Sequence, residues 1–267
     1  MQKRHSDRER YFQELANTSR SYYLDYLKPF KEIGDGCRVL EVGCGEGGNL
    51  LPFAERGCNV AGIDLSEGKI AHARRFFEAA GQAGSFRSGN FLHLPAPADE
   101  AERYDLILIH DVIEHIEAPQ KKDFMLHTKK FLRQDGIVFW GFPAWQMPFG
   151  GHQQLCRSRI CSALPFVHLL PGALYPAFLR LFGEAPASIK ELMSIKRSKT
   201  SIESFEKLSD VCGYRIRDRL LWFINPHYKQ KFGLPPIRLG IFFSKLPYFR
   251  NFLSTSCFYI STIKEAA

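Results

Sequence analysis

The sequence predicts an α/β fold, a parallel sheet covered on both faces, and three observations carry that prediction. Strand-like and helix-like segments alternate through the first half at the spacing of βαβ crossovers. A glycine-rich turn, residues 43–48, joins the first of these strands to the first helix. The composition, 45% hydrophobic and 24% charged over 267 residues, is that of a globular chain long enough for one large α/β domain or a domain with an insertion. It excludes a disordered, collagenous or disulfide-scaffold protein.

Taken in order, Arg38-Val-Leu-Glu-Val42 reads as a buried strand that ends in the glycine turn, and residues 48–56 as the helix after it. Residues 59–64 form a second strand, followed by a helix from Glu67 to about Ala80 with Ser66 as its N-cap. Residues 85–88 are a short third strand and 104–110 a fourth. Residues 119–132 form a helix and 136–142 a fifth strand. The rhythm then breaks: residues 143–200 are rich in Pro, Gly and aromatics and hold a basic patch of Lys190, Lys196, Arg197 and Lys199. It returns with a helix over 202–211, a strand around 216–224 and a last strand around 257–263. The organisation expected is an N-terminal helical segment (1–36), a ligand-binding core (37–150), and a lid insertion with closing strands (151–267).

Charge separates the halves. Residues 151–267 hold 17 Lys and Arg against 7 Asp and Glu, whereas the first 150 residues are near neutral. The second half should therefore prefer an anionic partner or surface. Seven cysteines without a Cys-x-x-Cys pair read as reduced core residues of a cytoplasmic protein. The polar start, Met-Gln-Lys-Arg-His-Ser-Asp, carries no signal-peptide pattern. The apolar run 162–183 contains Pro165, Pro171 and Pro176, which oppose a continuous spanning helix.

The turn itself, Gly43-x-Gly45-x-x-Gly48, fits both a dinucleotide site and other nucleotide-like ligands. Glu41 separates these readings. Two residues before Gly43 and inside the strand, its carboxylate would repel a pyrophosphate but suits S-adenosylmethionine (SAM), which carries a sulfonium and an ammonium.

Val39-Leu-Glu-Val-Gly-Cys-Gly-Glu-Gly47 resembles motif I of the class I SAM-dependent methyltransferases, and the later segments follow that family's order. The resemblance implies a doubly wound, Rossmann-like, seven-stranded and mostly parallel sheet with an antiparallel final strand. It also implies a lid between strands five and six. It assigns SAM contacts to Glu41, Gly43, Cys44 and Gly45, the ribose hydroxyls to Asp64, and the adenosine to Leu65. Asn90 and Phe91 would form the adenine-contacting pair, and His110 ends the motif IV strand. Upstream, Asn17-Thr-Ser-Arg20-Ser-Tyr-Tyr-Leu24 is similar to the N-terminal segment of the ubiquinone-biosynthesis O-methyltransferases, which implies that Arg20 meets the cofactor carboxylate.

Asp111-Val-Ile-Glu114-His115 follows strand four, at the edge of the sheet where α/β ligands bind. If helical, it places two carboxylates and an imidazole on one face, a set able to share Mg or another divalent cation. The relatives just named use a similar arrangement to activate an accepting hydroxyl. His152, in a Gly-Gly-His element after strand five, is the candidate fourth ligand or general base.

The expected reaction is in-line methyl transfer to a hydroxyl oxygen of a small acceptor, lipophilic or anionic. A lid over such an acceptor, or a peripheral membrane contact through residues 162–183 and the basic patch, follows from the apolar run. Nucleic acid is disfavoured, because the basic residues are dispersed rather than gathered along one element. The alternatives are an RNA 2′-O-methyltransferase, a NAD-dependent oxidoreductase, and a non-catalytic SAM-binding partner subunit.

Overall fold

The computed structural model describes residues 7–264. Residues 1–6, and with them most of the polar start weighed above, lie outside the described residues. Among those described, the strands are β1 (Arg38–Val42), β2 (Asn59–Asp64), β3 (Ser85–Ser88), β4 (Tyr104–His110), β5 (Leu132–Phe142), β6 (Tyr214–Ile224), β7 (Ile237–Arg238) and β8 (Ser256–Ile263). They form one sheet in the order β3-β2-β1-β4-β5-β8-β6-β7. The pairs from β3 through β5 are parallel, and β8 runs antiparallel to both β5 and β6.

The expected sheet has seven strands and the observed one eight. The addition is β7, two residues pairing antiparallel with β6 at the sheet edge. It is too short to leave a periodic signal in the sequence.

Helices α1 (Arg8–Thr18), α2 (Leu24–Leu27), α3 (Leu51–Ala54) and α4 (Glu67–Ala79) cover one face of the sheet. Ser66 caps α4 by accepting from the Lys69 backbone N–H, as expected. On the other face, α5 (Lys121–Phe131) and α9 (Ile202–Val211) pack on Leu40, Ile107, Ile109, Val138 and Trp140. The two faces take alternate residues of the same strands: Val39, Leu106, Leu108 and Phe139 point to the first. That is the period-2 geometry of a strand buried on both sides.

Between β5 and β6 lie α6 (Arg159–Ala163), α7 (Leu174–Leu181) and α8 (Pro186–Ser198). Together they bury a small core of Cys156, Cys161, Val167, Tyr175, Leu179, Ile189 and Leu192. Much of the apolar run 162–183 is thus occupied in packing. Two of its four expected basic helpers are also engaged: buried Lys196 donates to the carbonyls of His168 and Leu170, and Arg197 pairs with Glu117. Between β6 and β8 the chain forms α10 (His227–Phe232), α11 (Ile241–Ser244) and α12 (Arg250–Leu253). No helix among the described residues is long and apolar enough to cross a membrane.

Candidate active site

A π-helical turn, Ser19–Tyr23, separates α1 from α2. Such turns rotate the side chains that follow them and recur at functional sites. Here the turn carries Tyr23 into the protein, where its hydroxyl lies 2.9 Å from His110 Nε2 at the end of β4. His110 Nδ1 faces an Asp111 carboxylate oxygen at 3.4 Å. Since that carboxylate can only accept, Nδ1 carries the ring proton and Nε2 accepts from Tyr23. The same segment reaches the glycine turn: Ser19 Oγ donates to the Asn49 carbonyl, and Asn49 Nδ2 donates to Glu41 Oε1 at 2.7 Å.

Glu41 lies beneath the turn rather than on its open side, only 1% exposed, with Oε2 buried and unpartnered. Burial drives its pKa up to about 8 against the opposing Asn49 bond. Cys44 is likewise a core side chain, and its N–H donates to the Ile63 carbonyl.

The open side belongs to Gly45, Asp64 and Leu65. At Gly45, with φ +55°, a Cβ would meet nothing within 4 Å, which leaves room for a ligand against the backbone. Gly43 has the opposite reason to be glycine, since a Cβ there would strike Val112 Cγ2. That contact seats the turn directly against the segment after β4. The Asp64 carboxylate accepts from the N–H groups of Gly45 (3.0 Å) and Ser66 (2.9 Å), which fixes it at the end of β2 with further acceptor capacity. Leu65 is 78% exposed beside it.

Asn90 accepts from the Leu92 N–H through its side-chain carbonyl, leaving the amide NH₂ as its group for a ligand. The Phe91 ring is buried and packs among Phe124, His127 and Phe131. Arg20 is engaged elsewhere: its Nε and Nη2 donate to Glu55, Nη2 at 2.8 Å, and its Nη1 donates to Asn17 Oδ1 at 3.0 Å. The arginine that does reach the glycine turn is Arg8, paired with buried Glu46, which sequence pattern alone does not distinguish from a surface helix charge.

Residues 111–115 form turns rather than a helix. Asp111 has φ +54°, and the His115 N–H returns to the Val112 carbonyl. Asp111 and Glu114 therefore do not share a helical face. The group that does converge is Glu114, His115 and His152, whose ligand atoms lie within 4.8 Å of one another. The His115 and His152 rings stand edge to face at 4.8 Å, and His115 Nε2 is 4.0 Å from Glu114 Oε1. The glycines before His152 allow this approach, because a Cβ on Gly150 would strike the Trp145 carbonyl and one on Gly151 would strike His168.

Burial, reinforced by the Asp111 charge, pushes Glu114 well above the usual carboxylate range, and both its oxygens are buried without a hydrogen-bond partner. Burial and then the neighbouring His115 charge pull His152 down to about 4. Asp111 is opposite in sense: its desolvation is outweighed by His110, His152 and His115, which hold it at about 2. At neutral pH the site presents a neutral His152 beside an ionised Asp111.

Of these groups His110, Asp111 and His152 line a cleft of about 510 Å³, and Glu114 and His115 lie outside its lining. Tyr11, Tyr23, Met147 and Phe149 give it an apolar and aromatic wall; His110, Asp111, His152 and Glu191 are polar. Asn225, His227, Tyr228 and Lys231 close it from α10 and the residue pair before it. That last wall was not foreseen, since it comes from a connection after β6 with no motif of its own.

Residues 39–136 match the family model described as a methyltransferase domain. Ubiquinone biosynthesis O-methyltransferases are similar over part of the chain. That of Roseobacter denitrificans is 33% identical over 110 residues, 41% of this chain and 41% of the relative. That of Azorhizobium caulinodans is 36% identical over 90 residues, 34% and 33% of the two chains. The match thus spans about two fifths or less of those relatives' length. Among solved structures, a SAM-dependent methyltransferase from Clostridium acetobutylicum has TM-score 0.58 at 10% identity, covering 93% of this chain and 92% of that one. Magnesium protoporphyrin IX methyltransferase from Synechocystis, with bound SAH, has TM-score 0.55 at 12% identity, covering 95% and 86%. Residues 39–136 thus match a methyltransferase domain, and the sheet that carries them shares its fold with the methyltransferase structures just named.

Proposed function

We propose that this chain transfers the methyl group of SAM to a hydroxyl oxygen of a small acceptor held in the cleft. One observation carries the proposal: Gly43 packs against Val112, so the glycine turn abuts the segment whose His110 and Asp111 line the cleft. SAM supplies an electrophilic methyl on a sulfonium. Asp64, already oriented by two backbone N–H groups, accepts from the ribose hydroxyls, while Leu65 and the Asn90 amide flank the adenosine. The open face of Gly45 admits the cofactor against the backbone. His152, neutral at pH 7, takes the hydroxyl proton, and the aromatic walls hold the acceptor in line.

The cleft has the volume and mixed walls of a small-molecule site, which favours a small aromatic or lipophilic acceptor over nucleic acid. The names of the similar O-methyltransferases support oxygen as the atom methylated. Incubation with methyl-labelled SAM and a cell extract, followed by identification of the labelled product, tests the proposal. A labelled small hydroxylated compound supports it; label in RNA, or none in any fraction, contradicts it.

A second reading of the same trio rests on Glu114, whose two buried oxygens have no partner. Glu114, His115 and His152 would hold a divalent cation, which would supply Lewis acidity toward the acceptor oxygen. Two imidazoles and one carboxylate suit Mn²⁺ or Zn²⁺ better than Mg²⁺, which prefers an all-oxygen shell. Loss of methyl transfer on chelation, restored by added Mn²⁺ or Zn²⁺, favours this reading over His152 acting alone.

A further inference from the structure

The connection between β6 and β8 carries an exposed face that methyl transfer does not explain. From residue 225 to 252 the chain has five Lys and Arg and no Asp or Glu. Within it the large apolar side chains point outward: Ile241 is 74% exposed, Phe242 68% and Tyr248 70%, with Phe232, Ile237 and Phe249 also exposed. Several are in mutual contact, with ring centroids 5.4 Å apart for Phe242 and Phe243 and 6.4 Å for Phe243 and Phe249. Phe252 extends the patch to Phe166 of the insertion at 6.4 Å.

This is not a frayed loop. Glu203 accepts from the Tyr248 backbone N–H, from Arg250 Nε and from Asn251 Nδ2, while Glu206 accepts from Arg250 Nη2. Arg250 and Asn251 are buried, so the base of the segment is locked. Tyr248 is held outward at φ +63°, a conformation rarely adopted by a bulky residue. The fold thus fixes aromatic side chains in solvent and rims them with the exposed cations Lys229, Arg238 and Lys245.

We infer that this face docks on the surface of an anionic phospholipid bilayer, with Ile241, Phe242 and Tyr248 entering the interface and the surrounding cations meeting lipid phosphates. Exposed aromatic and aliphatic side chains share this segment with exposed Lys and Arg, and the nearby Glu203 and Glu206 are neutralised by Arg250, so the face matches that surface in both polarity and charge. The same connection supplies Asn225, His227, Tyr228 and Lys231 to the cleft, so a docked protein would hold the cleft wall close to the bilayer. The docking surface is centred on the β6–β8 connection and meets the run 162–183 at Phe166, while Val167, Tyr175 and Leu179 of that run are buried in a core of their own.

Flotation with vesicles tests the inference without reference to methyl transfer. At low salt, the full chain should float with phosphatidylcholine–phosphatidylglycerol vesicles and remain below with phosphatidylcholine alone. The double variant Ile241→Ser/Phe242→Ser and the double variant Arg238→Glu/Lys245→Glu should each weaken binding at least about tenfold. Unchanged thermal midpoints would show that both variants fold. Failure of the wild-type chain to float with anionic vesicles overturns the inference. So does equal flotation with neutral vesicles, or a dimer in sedimentation that the Ile241/Phe242 variant dissociates without any vesicle binding, which would assign the face to a second copy.

Discussion

The Tyr23 hydroxyl and His110 Nε2 stand 2.9 Å apart inside the protein, joining the N-terminal helical segment to the carboxyl edge of the sheet. The Tyr23 ring also packs against Phe139 and Phe258, with centroids at 5.1 and 5.5 Å, so Tyr23→Phe keeps the packing and removes only the hydrogen bond. It leaves the buried His110 acceptor unpaired and should lower stability by about 1–2 kcal/mol in urea unfolding, with an unchanged slope. A loss below about 0.3 kcal/mol would show that the pair does not tie these elements together.

Glu41 makes stability depend on pH in an unusual direction for a carboxylate. Its pKa rises from 4.5 to about 8 on folding because burial disfavours the charged form. The folded state therefore binds the proton more tightly, and the contribution is complete below about pH 4.5 and lost as pH rises through 8. Glu41→Gln cannot titrate. The stability of wild type minus variant should fall by up to roughly 1.4 kcal/mol per pH unit between pH 5 and 8. Parallel pH profiles for the two proteins would contradict the assignment.

For the Glu114 trio the prediction reverses the usual sense of a mutation. In metal-free buffer at a pH above the ordinary carboxylate range, Glu114→Gln should raise the melting midpoint, because the variant no longer has to take up a proton on folding to bury this side chain. If the trio holds a cation, saturating Mn²⁺ or Zn²⁺ should raise the wild-type midpoint by about 5 °C and leave the variant unmoved. An identical response of both proteins would place the ion elsewhere.

His152→Gln should lower kcat by about 10²–10⁴-fold, the range for loss of a general base, with little change in SAM affinity. A drop in SAM affinity of the same size would mean that His152 shapes the cofactor site instead.

The parts of the fold legible in the sequence are those set by local, repeated physics. Strands β1, β2 and β4 and residues 136–142 of β5 are short, largely apolar runs bounded by turn residues, and Ser66 announces α4 by the chemistry of its hydroxyl. The glycines themselves announce the turn at Gly45, whereas Asp64 is marked out by the family resemblance, and its carboxylate lies 3.0 Å from the Gly45 N–H. What escaped depends on contacts between distant segments. The π turn at Ser19–Tyr23 differs from an α-helix by one residue per turn and decides that Arg20 meets Glu55 while Tyr23 meets His110. Asp111 adopts φ +54° where its N–H donates to the Gly141 carbonyl and Val112 packs on Gly43, contacts with distant segments. Lys196 reads as a surface cation until α8 places it under the carbonyls of His168 and Leu170. The α10 wall of the cleft follows from how β6 and β8 are connected, and no short motif encodes that.

The central claim, a SAM cradle formed by Gly45 and Asp64, is tested most directly by calorimetric titration of SAM into the wild-type chain and into Asp64→Ala, with NAD as the competing ligand. The account predicts one SAM site per chain, affinity reduced at least about 30-fold in the variant by loss of charged hydrogen bonds to the ribose, and no heat with NAD. Unchanged SAM affinity in Asp64→Ala, or NAD binding in place of SAM, would contradict it.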